Sequence, residues 1–130
     1  MTSTIRVRVV DLGGLRAWRA SVPRSPGGNP CTEDKNHIAA TAETVLRWQE
    51  PQAAGPGKGL IRFTWVCPGC GGTVLGHLGD QPSGGWDAPR WVNVGSWEKP
   101  TLTPSLACPL WRSRRCQGHW HLREGILHPA

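Results

Sequence analysis

Two short cysteine-bearing turns constrain the fold of this chain more than any other sequence feature. The first is CPGC at residues 67–70, and the second is CQGH at residues 116–119, with the same spacing and a histidine in the last position. A C-x-x-C turn brings two sulfurs onto one zinc ion, and a closed tetrahedral site requires four ligands. The two turns together predict one structural Zn²⁺ with these ligands: Cys67, Cys70, Cys116 and His119.

Other residues are alternatives in this site. His77 or Cys108 could replace His119 as the fourth ligand, whereas Cys31 falls in a loop-like segment and is expected to be a plain thiol. A redox C-x-x-C would be followed by a helix, and GGTV at residues 71–74 is a poor helix start. The five cysteines, without an N-terminal signal-peptide pattern, favour metal binding in a reducing compartment, so we expect a cytoplasmic protein.

Composition and hydrophobic pattern favour a mainly β fold of the small α+β type. With Gly 17 and Pro 12 in 130 residues, and 38% hydrophobic residues, the chain can form only short elements around a small core. Alternating apolar and polar residues predict short antiparallel strands at 5–10, 60–66, 73–75, 90–94, 101–106, 120–122 and 126–127. Apolar residues from Ile38 to Leu46 recur at helical spacing, which predicts one helix near residues 36–48.

These patterns divide the chain into two parts. Residues 1–59 are expected to supply an N-terminal strand, loops and the helix, packed on the core. Residues 60–130 are expected to form that core, a β structure joined by the zinc ion through two zinc knuckles. No apolar stretch is long enough to span a bilayer, so we expect no membrane partner.

The charge and the tryptophans indicate a binding surface. Lys+Arg 15 against Asp+Glu 9 gives a net charge of +6, and the chain has eight tryptophans. Four of them lie in or beside polar or basic sequence, namely Trp18, Trp86, Trp111 and Trp120. Guanidinium groups interleaved with indole rings suit a nucleic acid, through phosphate contacts and base stacking, or an acidic face of a protein. The pattern leaves the choice between protein and nucleic acid open.

Three stretches carry a family resemblance. They are CPGCG at residues 67–71, PTLTPSL at 100–106 and CQGHWHLREG at 116–125. In this order they resemble the BubE family of small phage and bacterial proteins, some of which accompany bacterial ubiquitin-like operons. The resemblance implies a β-rich, zinc-stapled domain and a serine peptidase activity on ubiquitin-like proteins. Carried over to this sequence, it makes Ser105 the nucleophile and His119, or alternatively His121, the base.

The sequence therefore predicts two functions. The first is a zinc-stabilised binding module, encoded by a phage or mobile element and acting in the host cytoplasm, with a basic Trp/Arg surface. The alternative is a serine peptidase-like hydrolase that uses Ser105 with His119 or His121. The two conflict at His119, because a ring nitrogen that binds zinc cannot accept the serine proton. Catalytic zinc is the least favoured, because no H-x-E or H-E-x-x-H motif occurs.

Overall fold

The computed structural model describes residues 4–21, 43–54, 58–68, 73–79, 90–108 and 119–130. Within these ranges the chain forms strands and a helix. Their bounds are β1 Ile5–Val9, α1 Leu12–Ser21, β2 Glu43–Gln49, β3 Arg62–Val66, β4 Thr73–Leu78, β5 Arg90–Asn93, β6 Leu102–Ala107, β7 His119–Arg123 and β8 Ile126–Pro129.

These strands form a closed barrel in sequence order. Neighbouring strands are antiparallel except for two parallel pairs, β1 with β2 and β4 with β5. Pairing of β8 with β1 closes the barrel, so each described strand has a neighbour on both sides. The prediction of a mainly β fold is confirmed.

The barrel interior is filled by apolar side chains from every wall except β5, whose Trp91 packs against the same cluster while partly buried. Strand alternation produces this arrangement, because successive side chains point to opposite faces of the wall. The largest buried members are Ile5, Leu46, Phe63, Trp65, Leu106, Trp120, Leu122 and Leu127. Trp65 and Trp120 meet edge to face, with ring centroids 5.8 Å apart. Polar chemistry is therefore confined to the outer wall and the barrel ends.

The prediction of a helix near residues 36–48 is wrong for residues 43–48, which the structure describes. Residues Glu43–Gln49 form strand β2, and residues 36–42 lie outside the described ranges. Leu46 belongs to the barrel core, whereas Val45 packs with Leu15 of α1 on the outside. A strand that is covered on both faces shows consecutive apolar residues, and over a short segment such a run resembles helical spacing.

Helix α1, which contains Gly13 and Gly14, was not predicted from the sequence. Asp11 explains why a helix begins there: its Oδ1 accepts a hydrogen bond from the backbone N–H of Gly14 at 2.7 Å. An aspartate in this N-cap position satisfies a donor that the first helical turn leaves unpaired. Through Leu15 and Trp18, α1 covers the outer face of β2. No helix in the described ranges is both long and apolar enough to cross a bilayer.

Gly76 on β4 provides a test of the barrel packing. A Cβ at this position would collide with the ring of Phe63, and that ring is already fixed by edge contacts with Trp48 and Trp91. Because the buried ring has no space to move into, we expect Gly76→Ala to lower the free energy of unfolding by about 1–3 kcal/mol. Chemical denaturation measures this change.

The matched control is Gly13→Ala in α1. Its Cβ would lie at an ordinary 3.4 Å from Oδ1 of Asp11. A glycine-to-alanine change within a helix is expected to be neutral or to stabilise by up to about 1 kcal/mol. Equal destabilisation by the two substitutions would contradict the close contact between Gly76 and Phe63.

Candidate active site

Two polar side chains meet on the outer wall of β6 and β7. The Oγ of Ser105 lies 2.7 Å from the Nε2 of His119, and both side chains are partly exposed. When the neutral ring carries its proton on Nδ1, the serine hydroxyl donates to Nε2. A hydroxyl that donates to an imidazole nitrogen is the arrangement of an activated nucleophile and its general base.

The pairing of β6 with β7 places this pair on the outside. Leu106 is paired with Trp120, and both are buried in the barrel. Ser105 and His119 each precede one of these residues, so they face outward. Ala107 stands directly opposite His119, which makes Ser105 a diagonal neighbour of the histidine. Diagonal neighbours across antiparallel strands are within reach of longer side chains.

Strand β6 has an irregular stretch immediately before the serine. Leu102 is paired with Leu122 and Leu106 with Trp120, so four steps along β6 match two steps along β7. Pro104 lies in this stretch and has no N–H to donate to the ladder. Extra residues of this kind redirect side chains and are concentrated beside active sites. The irregularity therefore sets where Ser105 stands relative to β7.

The backbone of Ser105 is held from the other side by Trp91 on β5. The indole Nε1–H of Trp91 donates to the carbonyl oxygen of Ser105 at 3.1 Å. The indole itself packs against the barrel core and meets the ring of Phe63 edge to face, with centroids 5.5 Å apart. Trp91 is thus a positioning residue that connects the serine to the apolar interior. Sequence reasoning missed it, since no local pattern indicates a contact between residues on different strands.

The surroundings of His119 favour the neutral form of its imidazole. Burial lowers the pKa of His119 below its ordinary value of 6.5, and the positive charge of a protonated His121 lowers it further. Protonation would remove the lone pair of Nε2 to which the serine hydroxyl donates. Because the pKa is lowered, Nε2 remains an acceptor at a more acidic pH than an ordinary imidazole would.

The contribution of His121 can be measured by replacing it. We expect the His119 pKa of the unmodified chain to lie below 6.5, and His121→Gln to raise it toward that value, because one source of positive charge is removed. NMR titration of the imidazole resonances measures both. His128→Gln is the control: His128 is paired with His121 across β7 and β8 and is not among the causes of the His119 shift. A His119 pKa that does not change in His121→Gln would contradict this electrostatic account.

The described cysteines lie at one end of the barrel. Strands β3 and β6 run in the same direction, because β3 is antiparallel to β4, β4 is parallel to β5, and β5 is antiparallel to β6. Cys67 follows β3 and Cys108 follows β6, and both are buried members of the same core cluster. His119 begins β7 at this same end. Strands β3 and β6 therefore end, and strands β4 and β7 begin, at this end of the barrel.

The remaining predicted ligands are not described. Cys70 and Cys116 lie outside the described ranges, as does Cys31. Within the described ranges, no group of three or more metal-ligating side chains is close enough to hold an ion. His77, the other alternative ligand, lies on β4 in a cross-strand pair with Arg62. The zinc site and its ligand set stay a prediction.

The predicted tryptophan surface is only partly described. Trp120 was expected at a binding surface, but it is 2% exposed and belongs to the core, so this expectation is wrong. Trp18 packs against the cluster under α1, and Trp86 and Trp111 lie outside the described ranges. Trp97, which was not singled out from the sequence, is 50% exposed on the turn between β5 and β6.

A serine hydroxyl bonded to a histidine on a β barrel is the kind of site found in serine hydrolases. The family model described as bacterial ubiquitination-like system serine protease (BubE) matches residues 33–130, and the chain belongs to this family. The resemblance stated from the three sequence stretches is thereby confirmed. Comparisons with curated proteins and with solved structures gave no significant match. The family match carries no information about zinc or a phage origin, and both stay predictions.

Proposed function

We propose that this chain is a serine peptidase of a bacterial ubiquitination-like system, with Ser105 as the nucleophile and His119 as the general base. The observation that carries the proposal is the 2.7 Å contact between Oγ and Nε2. The family description supports it independently, because it names a serine protease. Of the two bases considered from the sequence, the contact favours His119 over His121, and only His119 is bonded to the serine.

The reaction follows from this contact. Nε2 of neutral His119 takes the hydroxyl proton while Oγ of Ser105 attacks the scissile carbonyl, giving a tetrahedral intermediate and an imidazolium. The imidazolium then returns the proton to the leaving group, the bond to that group breaks, and the acyl group stays on Oγ as an ester. A water molecule, deprotonated by the same nitrogen, hydrolyses the ester and restores the serine.

The position of the pair suits a polypeptide substrate. Ser105 stands on the outer wall of the barrel and is partly exposed, so an extended chain can approach it without entering a deep pocket. The Trp91 bond to the Ser105 carbonyl holds the backbone while the hydroxyl reacts. A linkage formed by a ubiquitin-like protein fits this open position, and the description of the family names such a system.

Active-site labelling tests the proposal. We expect a fluorophosphonate probe to label the unmodified chain at Ser105, and Ser105→Ala to abolish the label. His119→Gln is expected to reduce the labelling rate by about a thousandfold or more, because the hydroxyl loses its proton acceptor. Mass spectrometry identifies the modified residue, and circular dichroism checks that each variant remains folded.

Ser96→Ala is the matched control for this experiment. Ser96 is an exposed serine on the turn between β5 and β6, and its Oγ accepts a hydrogen bond from the backbone N–H of Lys99. Removing that hydroxyl is expected to leave labelling unchanged. A folded, unmodified chain that takes no label at Ser105 would reject the peptidase proposal and return the binding-module prediction to first place.

A structural Zn²⁺ is the second part of the proposal, and the chemistry of the donor set supports it. Cys67 and Cys108 are fully or almost fully buried, at 0% and 2% exposure, at the same barrel end. Thiolates are preferred zinc ligands, and a structural zinc ion contributes directly to the free energy of folding. We propose Cys108, rather than His119, as the fourth ligand beside Cys67, Cys70 and Cys116, because His119 is engaged by Ser105.

Metal analysis of two variants separates these ligand sets. We expect the purified chain to contain about one zinc ion, Cys108→Ser to lose it, and His119→Gln to keep it while losing the fluorophosphonate label. Inductively coupled plasma mass spectrometry measures the zinc content. Loss of zinc from His119→Gln with retention in Cys108→Ser would instead identify His119 as the ligand, as first predicted.

A further inference from the structure

A row of basic side chains crosses the barrel wall beside the serine. Arg62 on β3 is paired with His77 on β4, and His77 is paired with Arg90 on β5. Arg90 immediately precedes Trp91, whose indole bonds to the carbonyl of Ser105 on the next strand. The row therefore leads directly to the candidate nucleophile.

These three side chains face outward. The neighbours of these residues along each strand face the barrel interior. Phe63 follows Arg62 and Trp91 follows Arg90, and both rings pack in the core. Gly76 precedes His77, and its backbone lies against the ring of Phe63. Strand alternation then turns the basic side chains to the opposite face. Arg90 is exposed, and Arg62 and His77 are partly exposed.

Among the described residues, no carboxylate forms an ion pair with this row. Arg62 donates through Nε and a terminal nitrogen to the neutral backbone carbonyl of Glu50, at 3.1 and 3.0 Å. Within the described part of the chain, Arg90 has no ion-pair partner, and the one ion pair found there joins Arg8 to Glu43 on the β1–β2 wall.

The ring of His77 has a buried hydrogen-bonding atom. Its Nε2 is buried and makes no hydrogen bond to any described residue. Burial lowers the pKa of His77, and the positive charges of Arg62 and Arg90 lower it further. A buried polar atom without a partner costs free energy unless a ligand or water satisfies it.

We propose that Arg62, His77 and Arg90 form a subsite for an acidic side chain of the polypeptide that Ser105 cleaves, an inference that rests on the proposed peptidase function. Guanidinium groups bind carboxylates in a planar, bidentate geometry, and the partly exposed ring of His77 stands between the two arginines in the row. Two strand spacings separate β6 from β4, which is about 10 Å and corresponds to about three residues of extended chain. The acidic residue is therefore placed within about three residues of the scissile bond.

Binding to a chain that cannot react tests the subsite by itself. In the Ser105→Ala background, anisotropy is measured with two fluorescein-labelled peptides, hexaglutamate and hexaglutamine. We expect the acidic peptide to bind at least about fivefold more tightly, and Arg90→Gln to remove most of that difference. The preference is expected to fall when ionic strength rises from about 0.15 to 0.5 M.

Arg6→Gln is the matched control. Arg6 is an exposed arginine on β1, which lies across the barrel from β5 in the strand order, and its replacement removes the same charge. We expect it to change the affinity for hexaglutamate by less than about twofold. Equal losses in Arg6→Gln and Arg90→Gln would show a general charge effect and overturn the subsite.

Fluorophosphonate labelling of the chain that retains Ser105 tests whether a peptide bound at the subsite covers the serine. Unlabelled hexaglutamate is expected to slow fluorophosphonate labelling, with Arg90→Gln reducing this protection by about fivefold, whereas hexaglutamine gives no protection. Labelling without any protection would leave the peptidase proposal standing and reject the subsite. Acidic-peptide binding in Ser105→Ala without labelling of the unmodified chain would reject the peptidase and retain an acidic-peptide site.

A nucleic acid is the competing ligand for such a row. A single-stranded oligonucleotide of twelve nucleotides is added as a competitor in the anisotropy experiment. If it binds more tightly than hexaglutamate and loses affinity in Arg90→Gln, the row recognises phosphate, and the acidic-peptide assignment is overturned. Weak, salt-sensitive competition that is the same in Arg90→Gln supports the assignment.

Discussion

Pairing of β1 with β8 is the interaction on which the rest of this structure depends. It sets Ile5 opposite Leu127 and joins the first described strand to the last one. Once the wall is closed, every strand has an inner face that must be apolar and an outer face that can be polar. In an eight-strand barrel the interior is just wide enough for side chains to fill it. The polar side chains of Ser105 and His119 accordingly stand on the outer wall.

The apolar interior nevertheless takes part in organising the site. The ring of Phe63 lies between Trp48 and Trp91, with edge contacts to both. The indole of Trp91, which is held by this packing, donates a hydrogen bond to the carbonyl oxygen of Ser105 and so fixes the backbone at the serine. A reactive side chain is effective when the groups behind it are held by packing rather than by flexible surface contacts. Ser105 is thus supported on one side by the indole of Trp91 on β5 and on the other by His119 on β7.

The sequence predicted the strands well because alternation is a local signal. The strand predicted at residues 60–66 corresponds to β3, with Phe63 and Trp65 inside, and the strand predicted at residues 73–75 is part of β4, which pairs with β3. The prediction from alternation failed for β2, because Val45 on its outer face is covered by α1 and is therefore also apolar. It also failed at α1, where two glycines concealed the cap provided by Asp11.

The candidate site was only partly predictable, for a related reason. Ser105 and His119 were named from a family resemblance, and their contact depends on the pairing of two strands whose register no local pattern fixes. The irregular stretch between Leu102 and Leu106 changes which residues face each other, and its effect could not be read from the residues alone. Trp91 and the basic row ending at Arg90 depend on three further pairings. Local sequence patterns identified most of the strands, but the contacts of Ser105 with His119 and Trp91 became visible only from the way the strands pair in the barrel.

The tautomer of His119 decides between its two predicted roles. A neutral imidazole has one N–H and one lone pair. Zinc on Nε2 would displace the hydroxyl of Ser105, and zinc on Nδ1 would leave the proton on Nε2, which could then donate to the serine but could not accept from it. A base therefore cannot also be a ligand through either nitrogen. If the contact with Ser105 is catalytic, the proposed zinc site needs a fourth ligand other than His119, and the buried thiol of Cys108 is a described group whose chemistry meets that requirement.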